Sequence, residues 1–336
     1  MNPNVNSPIC ILLNPTVDHI CIVDDFHPGG TFKSDKEYIY PVGKAISVAI
    51  GLKVHNLDPR VIAFVGNDDL LLYKNFLSKF NIIHDLIGID GKTRNNFTII
   101  DRKSHNVTHV RNPGFCIEKP DIQRLWKKIN LIKDSKVVIS GSVPLGITNA
   151  RIIRIIEMLT ENGNTIFVDM SADALKELVH KGIPHVLKLN HIEVANLLGI
   201  KPDGIEIENS KNALSITDLK SMSAECQRLL KGNLMAIIMT MREMGAFFIT
   251  KNEILHGHVE FNENIKSKGS SVGSGDAFFS GLIAGFENES FEKIEIQKAL
   301  RVALATATAS IHQFCPGIFD RQDYNSYIDK VHFKII

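Results

Sequence analysis

Ser270-Ser271-Val272-Gly273-Ser274-Gly275-Asp276-Ala277-Phe278 is the stretch from which the rest of the chain can be read. It is a glycine turn that feeds an apolar helix, and that helix contains two further glycines, Gly281 and Gly285. At such a helix start the free backbone N–H groups and the positive end of the helix dipole make an anion site, and glycine lets a phosphate come close to the chain. Asp276 would be repelled by a phosphate bound there. It is, however, well placed to accept the proton of a hydroxyl that attacks that phosphate. The plainer reading is a capped structural helix with an acid in its first turn. With glycine at about 7% of residues, G-x-G-D alone arises by chance in roughly one chain in ten of this size.

Outward from this turn, apolar β-rich runs recur at Ile9–Leu13, Val61–Val65, Lys136–Ser140, Thr165–Val168, His185–Leu187 and Ala236–Thr240. Helical periodicity separates most of them: from Gly43 towards Val54, then Leu70–Phe80, Asp121–Lys133, Thr148–Glu161, His191–Leu198, Asp218–Leu230, Gly275–Glu287 and Phe291–Phe314. This alternation predicts an α/β fold with a mostly parallel central sheet and helices on both faces. Two segments, Val17–Tyr40 and Lys92–Val110, break the rhythm with short polar-alternating strands. They read as hairpins that leave the sheet and return to it, a small β lid over its ligand edge. Lys201–Ser215 is rich in polar and turn residues and is expected to be an exposed excursion.

The 336 residues carry 38 Lys and Arg against 37 Asp and Glu, a formal charge of +1, with no basic stripe of the kind that tracks nucleic acid. No apolar stretch approaches the roughly 18–20 residues needed to span a bilayer. The first apolar run is too short for a signal-peptide core, so a cytoplasmic protein is expected. Five cysteines, odd in number and with no C-x-x-C, argue against a disulfide framework or a structural zinc site. His256-x-His258 places two rings on one face of a strand with no third ligand in view, which is a surface strand before it is a metal site.

Further motifs stand in order along nearly the whole chain. Asn14-Pro15-Thr16-Val17-Asp18 resembles N-x-x-x-D, and Pro41-Val42-Gly43-Lys44-Ala45-Ile46-Ser47-Val48-Ala49 resembles P-G-G-K-G-x-N-V-A. Thr93-Arg94-Asn95-Asn96 resembles T-R-x-N, and Ser140 to Gly146 resembles S-G-S-L-P-x-G. Lys188-Leu189-Asn190-His191-Ile192-Glu193 resembles K-P-N-x-x-E, and Gly273-Ser274-Gly275-Asp276 is similar to G-A-G-D. Together they resemble the ribokinase-like, or phosphofructokinase B, carbohydrate kinases, and most closely their 1-phosphofructokinase and tagatose-6-phosphate kinase branch.

The resemblance implies a single ribokinase-like kinase domain over residues 1–336, a three-layer α/β/α sandwich with its lid in residues 17–40 and 92–110. Its implied chemistry is transfer of the γ-phosphoryl group of ATP, with Mg²⁺, to a phosphorylated ketohexose. Asp276 would be the base, and the backbone of Val272, Gly273, Ser274 and Gly275 the anion hole. Asp18, Gly43, Lys44, Ser47, Arg94, Asn96 and Ser142 would hold the acceptor. Lys188, Asn190, Glu193, Thr240, Arg242 and Gly245 would serve ATP and Mg²⁺. Asn190 and Glu193, three apart at a helix start, suit a hydrated Mg²⁺ that takes few protein ligands, and they also suit a plain helix cap. Arg94 and Lys44 are cations suited to a sugar phosphate, whereas Lys33 reads as a surface lysine. Small residues at Ala303, Ala305, Ala307 and Ala309, with Pro316-Gly317, would wall the adenine. The resemblance also implies a homodimer through the lid.

The chain departs from the pattern at Val42, Ala45 and Ser47 in the sugar turn, at Arg242 where glycine is usual, and at Ser270. These departures keep two alternatives open. One is a kinase of the same fold acting on an unphosphorylated sugar or a nucleoside; the other is a catalytically weak nucleotide or sugar sensor.

Overall fold

The computed structural model describes residues 7–104, 106–170, 173–200, 216–260, 269, 271–286 and 291–336. The chain opens with β1 (Ile9–Leu12), β2 (Thr16–Val23), β3 (Lys36–Val42) and α1 (Lys44–Val54). Next come β4 (Arg60–Gly66), α2 (Leu70–Lys79), β5 (Ile83–Ile89), β6 (Arg94–Asp101), β7 (Val107–Val110) and α3 (Lys119–Ile129). The middle holds β8 (Lys136–Ser140), α4 (Asn149–Glu161), β9 (Thr165–Asp169), α5 (Ala174–Lys181), β10 (Val186–Asn190) and α6 (His191–Leu198). Beyond residue 215 follow α7 (Ile216–Arg228), β11 (Ala236–Thr240), β12 (Ala246–Thr250) and β13 (Ile254–Val259). The chain ends with α8 (Ser274–Gly285), α9 (Lys293–Ser310), α10 (Arg321–Ile328) and β14 (Val331–Ile335).

Ten strands form one sheet in the order β14-β13-β12-β11-β10-β9-β8-β1-β4-β5. It is parallel from β5 to β11 and antiparallel from β11 to β14. The strands are apolar on both faces because both are covered. Cys10, Leu12, Val61, Ala63 and Val65 point into one core with α1, α2, α8, α9 and α10. Ile11, Leu13, Ile62 and Phe64 point into the other, with α3 to α7. This is the expected three-layer sandwich, with period-two alternation dividing each strand between two cores. No helix among the described residues is long and apolar enough to cross a membrane.

The two polar-alternating segments form a second sheet, ordered β3-β2-β6-β7. Each is an antiparallel hairpin, and β2 and β6 join them in parallel. One face carries Asp18, Ile20, Asn96 and Thr98. The other carries the row Ile39, His19, Phe97 and Val110 in mutual register.

Several elements escape the periodicity reading. β5 has an edge-strand pattern with Ile83 65% exposed, and α10 buries a single residue, Tyr327. α5 spans only eight residues. β12 follows β11 through the tight turn at Arg242–Met244, so two strands merge into one apolar region in the sequence. The polar excursion at 201–215 lies outside the described residues.

Candidate active site

Asp276 stands in the first turn of α8, on the layer that carries α1, α9 and α10. The turn before it depends on Gly273. Its φ is 83°, and a Cβ there would come within 2.7 Å of the Pro316 Cβ, so left-handed backbone and close approach both demand glycine. The chain then closes into the helix with the Asp276 and Ala277 amides donating to the Gly273 carbonyl. The amide of Ser274 donates to the Ser271 carbonyl at 3.2 Å, while those of Gly273 and Gly275 find no carbonyl among the described residues. Of the four candidate anion-hole residues, Ser274 is therefore already engaged. Ser270 lies outside the described residues.

Around Asp276 the fold gathers three more charges. Asp169, the last residue of β9, is fully buried and accepts from Lys44 Nζ at 2.7 Å and from Lys188 Nζ at 2.8 Å. Burial works against ionising Asp169, but Lys188 and Lys44 outweigh it and hold its carboxyl at about 2. For Lys44 the order of effects is the same: burial disfavours its charge, and Asp169, Asp276 and Glu193 together raise it above the usual lysine value. Lys188 Nζ sits 3.3 Å from where a Cβ on Gly275 would lie, so its ammonium rests against the turn. Asp276 itself is 8% exposed, and burial lifts its carboxyl to about 7; Lys44 and Lys188 oppose that rise, and Asp169 and Asp18 add to it. A carboxyl poised near neutrality, beside two cations and two amides with no carbonyl partner among the described residues, can take a proton from a hydroxyl while the surroundings receive negative charge.

The acceptor candidates lie where the two sheets meet. Asp18 and Asn96 are cross-strand partners in the small sheet, and Thr16 Oγ1 donates to Asp18 Oδ1 at 2.9 Å. Burial raises the Asp18 carboxyl, and Thr16, Asn96, Arg94 and Arg111 pull it down. Arg94 bridges the sheets, donating to the carbonyls of Pro15 and Asn14 at 3.2 Å each and to Ser142 Oγ at 3.3 Å. Asn14 Nδ2 also donates to Ser142 Oγ, at 3.0 Å. Gly43 caps α1, and Ser47 is turned under the helix, its hydroxyl donating to the Gly43 carbonyl at 3.3 Å. Lys33 is exposed. Beyond Arg94 opens a cavity of about 720 Å³ whose far wall carries Cys116, Asp121 and Arg124. Neither Lys44 nor Asp276 lines it, so it is a neighbouring compartment and not the reaction chamber.

On the other side of Asp276 lie the ends of β10 and β11. Asn190 and Glu193 form a reciprocal capping box: the Asn190 amide donates to Glu193 Oε2 at 2.8 Å and the Glu193 amide to Asn190 Oδ1 at 2.9 Å. The cap uses one oxygen of each, and Glu193 Oε1 has no protein partner among the described residues. Among the described residues no group of three or more His, Cys, Asp or Glu could hold a metal, and His256 and His258 on β13 gain no third ligand. Thr240 Oγ1 donates to the Leu189 carbonyl at 3.4 Å. Arg242 is exposed and adopts φ 53°, the left-handed region where glycine would be relaxed. Gly245 has φ 86°, and a Cβ would strike the Gly257 carbonyl at 2.1 Å. One expectation changes: Ala303 is taken up by packing between helices, because Gly281 of α8 comes so close that a Cβ would lie 2.8 Å from its Cα. Small residues there let two helices meet before they can admit a base.

The family model for pfkB family carbohydrate kinases matches residues 12–318. The chain belongs to the pfkB family of carbohydrate kinases. It is 24% identical to a 1-phosphofructokinase of Bacillus subtilis over 89% of this chain and 91% of that protein. It is 24% identical to a D-tagatose-1-phosphate kinase of Bacillus licheniformis, over 92% and 93%. The crystal structure of phosphofructokinase-2 from Escherichia coli in complex with potassium superposes with a TM-score of 0.80 at 18% identity, covering 97% of this chain and 99% of that one. The fold is therefore ribokinase-like, as expected, and the protein is a sugar kinase.

One member of this candidate site is missing from the sequence motifs. Asp169 joins no motif, yet it follows the apolar run Thr165–Val168 directly, and a charged residue at the carboxyl end of a buried parallel strand is where such sheets meet their ligands.

Proposed function

We propose that this kinase transfers the γ-phosphoryl group of ATP to a hydroxyl of a ketohexose phosphate of the fructose-1-phosphate, tagatose-6-phosphate or fructose-6-phosphate type. The observation that carries the reading is Asp276: a buried carboxyl lifted to about 7 at the head of a glycine turn, beside Lys44 and Lys188. Asp276 takes the hydroxyl proton as the phosphoryl group loosens from its leaving oxygen. Lys188 and the Gly273 and Gly275 amides receive the charge on the oxygens in flight, and Asp169 keeps both lysines in place. Asp18 and Asn96 orient the acceptor's hydroxyls, and Arg94 and Lys44 face its phosphate. The names of the relatives, phosphofructokinase and tagatose-phosphate kinase, support a phosphorylated acceptor.

ATP would lie along the ends of β10 and β11, past Thr240, Arg242 and Gly245. The lone oxygen of Glu193, with Asn190 behind it through water, suits a hydrated Mg²⁺, which would neutralise charge on the donor's phosphates. The small sheet would close over the acceptor and shield the γ-phosphate from water. Its outer row places Ile39, Phe97 and Val110 at 50%, 40% and 50% exposure, an apolar strip that a second copy would cover about a two-fold axis. Light scattering should then give twice 37.4 kDa, and Phe97→Asp should return the monomer.

A coupled assay of ADP release over a panel of sugars and sugar phosphates tests the proposal. Turnover of a ketohexose phosphate above every unphosphorylated parent supports it. The second reading, an unphosphorylated acceptor, draws on the hydrogen bonds that already occupy Arg94 at Asn14, Pro15 and Ser142.

A further inference from the structure

Away from the active site, α3 and α4 border an open depression of about 640 Å³ lined by Lys119, Ile122, Gln123, Trp126, Lys127 and Arg151. That volume lies within the range of small-molecule sites. Its lining has three cations and no acid, in a protein whose formal charge is only +1. An ordinary solvated helix face would intersperse acids with these bases. Ile122 belongs to the core and Trp126 packs against it, so the floor is apolar and held in place. Arg151 is fixed as well: its Nη1 donates to the Gly146 carbonyl at 2.8 Å, and its backbone lies in the first turn of α4, capped by Thr148.

A second observation is independent of charge. The indole Nε1 of Trp126 is closed off from solvent and has no acceptor among the described residues. An indole N–H can only donate, so the donor is left unmatched in a side chain that lines the depression beside three cations and Gln123. What would suit the cations and the apolar floor together is a flat body carrying acceptor oxygens and negative charge. Such a body would lay its ring on Trp126 and Ile122 and present its oxygens to Lys119, Lys127 and Arg151.

We propose that this depression binds a small planar organic anion, an aromatic or heteroaromatic ring bearing a phosphate or a carboxylate. The site is separate from the kinase chemistry and stands whether or not the proposed acceptor is right.

The test uses the chain's only tryptophan as reporter. The full-length protein is titrated with AMP, with salicylate, with uncharged adenosine and with inorganic phosphate, and Trp126 emission is followed. The expected result is a saturable emission change with AMP or salicylate and none with adenosine or phosphate; the tighter of the two anions identifies the acidic group. In the double variant Lys119→Ala/Lys127→Ala the affinity should fall at least about tenfold, while far-UV circular dichroism and sugar-kinase turnover stay as in wild type. A saturable change that is equal for AMP and adenosine, or unaltered in the double variant, overturns the proposal, as does no saturable change with either anion.

Discussion

Replacing Asp276 by asparagine moves stability and activity in opposite directions. Burial lifts the Asp276 carboxyl to about 7, whereas an ordinary aspartate titrates near 4. Because the folded-state value is the higher one, the protonated acid favours the fold. That contribution is complete below about pH 4 and is lost as the pH rises through 7. At about pH 8 the ionised carboxylate therefore costs the fold up to about 4 kcal/mol, at 1.36 kcal/mol for each pH unit of separation. Asparagine has nearly the same shape and no charge, so Asp276→Asn should gain about 2–4 kcal/mol near pH 8. The gain should shrink to under about 1 kcal/mol near pH 4.5, where wild-type Asp276 is already neutral in the fold. Over the same substitution kcat should fall by about two decades or more, the contribution of a positioned base. Urea unfolding of both proteins at the two pH values, with kcat measured at saturating substrates, makes the comparison. A variant no more stable than wild type at pH 8, a gain that persists unchanged at pH 4.5, or a kcat within about threefold of wild type would refute the reasoning.

Asp169→Asn should destabilise the protein by about 3–5 kcal/mol, because two buried ammonium groups lose their shared partner. It also removes a charge that pushes Asp276 up, so the acid limb of kcat should move below its wild-type position near pH 7. The depressed Asp169 carboxyl stabilises the wild type above about pH 4, a contribution lost as the pH falls towards 2 and absent from the variant's acid-unfolding curve. Arg94→Ala should raise KM for a sugar phosphate far more than for its unphosphorylated parent; equal effects would favour the second reading of the acceptor. Arg242→Gly should add about 1 kcal/mol of stability by relaxing the left-handed backbone at 242, read as a higher unfolding midpoint, and an unchanged midpoint would mean that the φ of 53° carries no strain.

The sheet was legible because strands apolar on both faces, such as Val61–Val65, admit few other placements. Elements such as β5 and α10 were not, because an exposed edge strand and a helix with one buried residue leave little period to detect. At the site, Asp276, Lys44 and Lys188 came from motifs, whereas Asp169 depends on contacts 125 and 19 residues away that no local spacing encodes. Asn190 and Glu193 show a different limit. The spacing N-x-x-E is shared by a helix cap and a carboxylate with one oxygen to spare, and the two uses coexist in the same side chains. Ser47 offers a hydroxyl one turn after Gly43, and only the fold shows it turned back onto the Gly43 carbonyl.

Asp18, Lys44, Asp169, Lys188 and Asp276 hang on β2, α1, β9, β10 and α8, and no two of them share an element. A ligand that touches all five cannot be released by the fraying of one loop, because releasing it means parting elements drawn from both sheets and from the helices around them. Its binding energy therefore counts against global unfolding, about 2.7 kcal/mol at a hundredfold excess over Kd. Melting temperature thus becomes a direct reading of occupancy, and a thermal-shift panel of candidate acceptors ranks them without any phosphoryl transfer taking place.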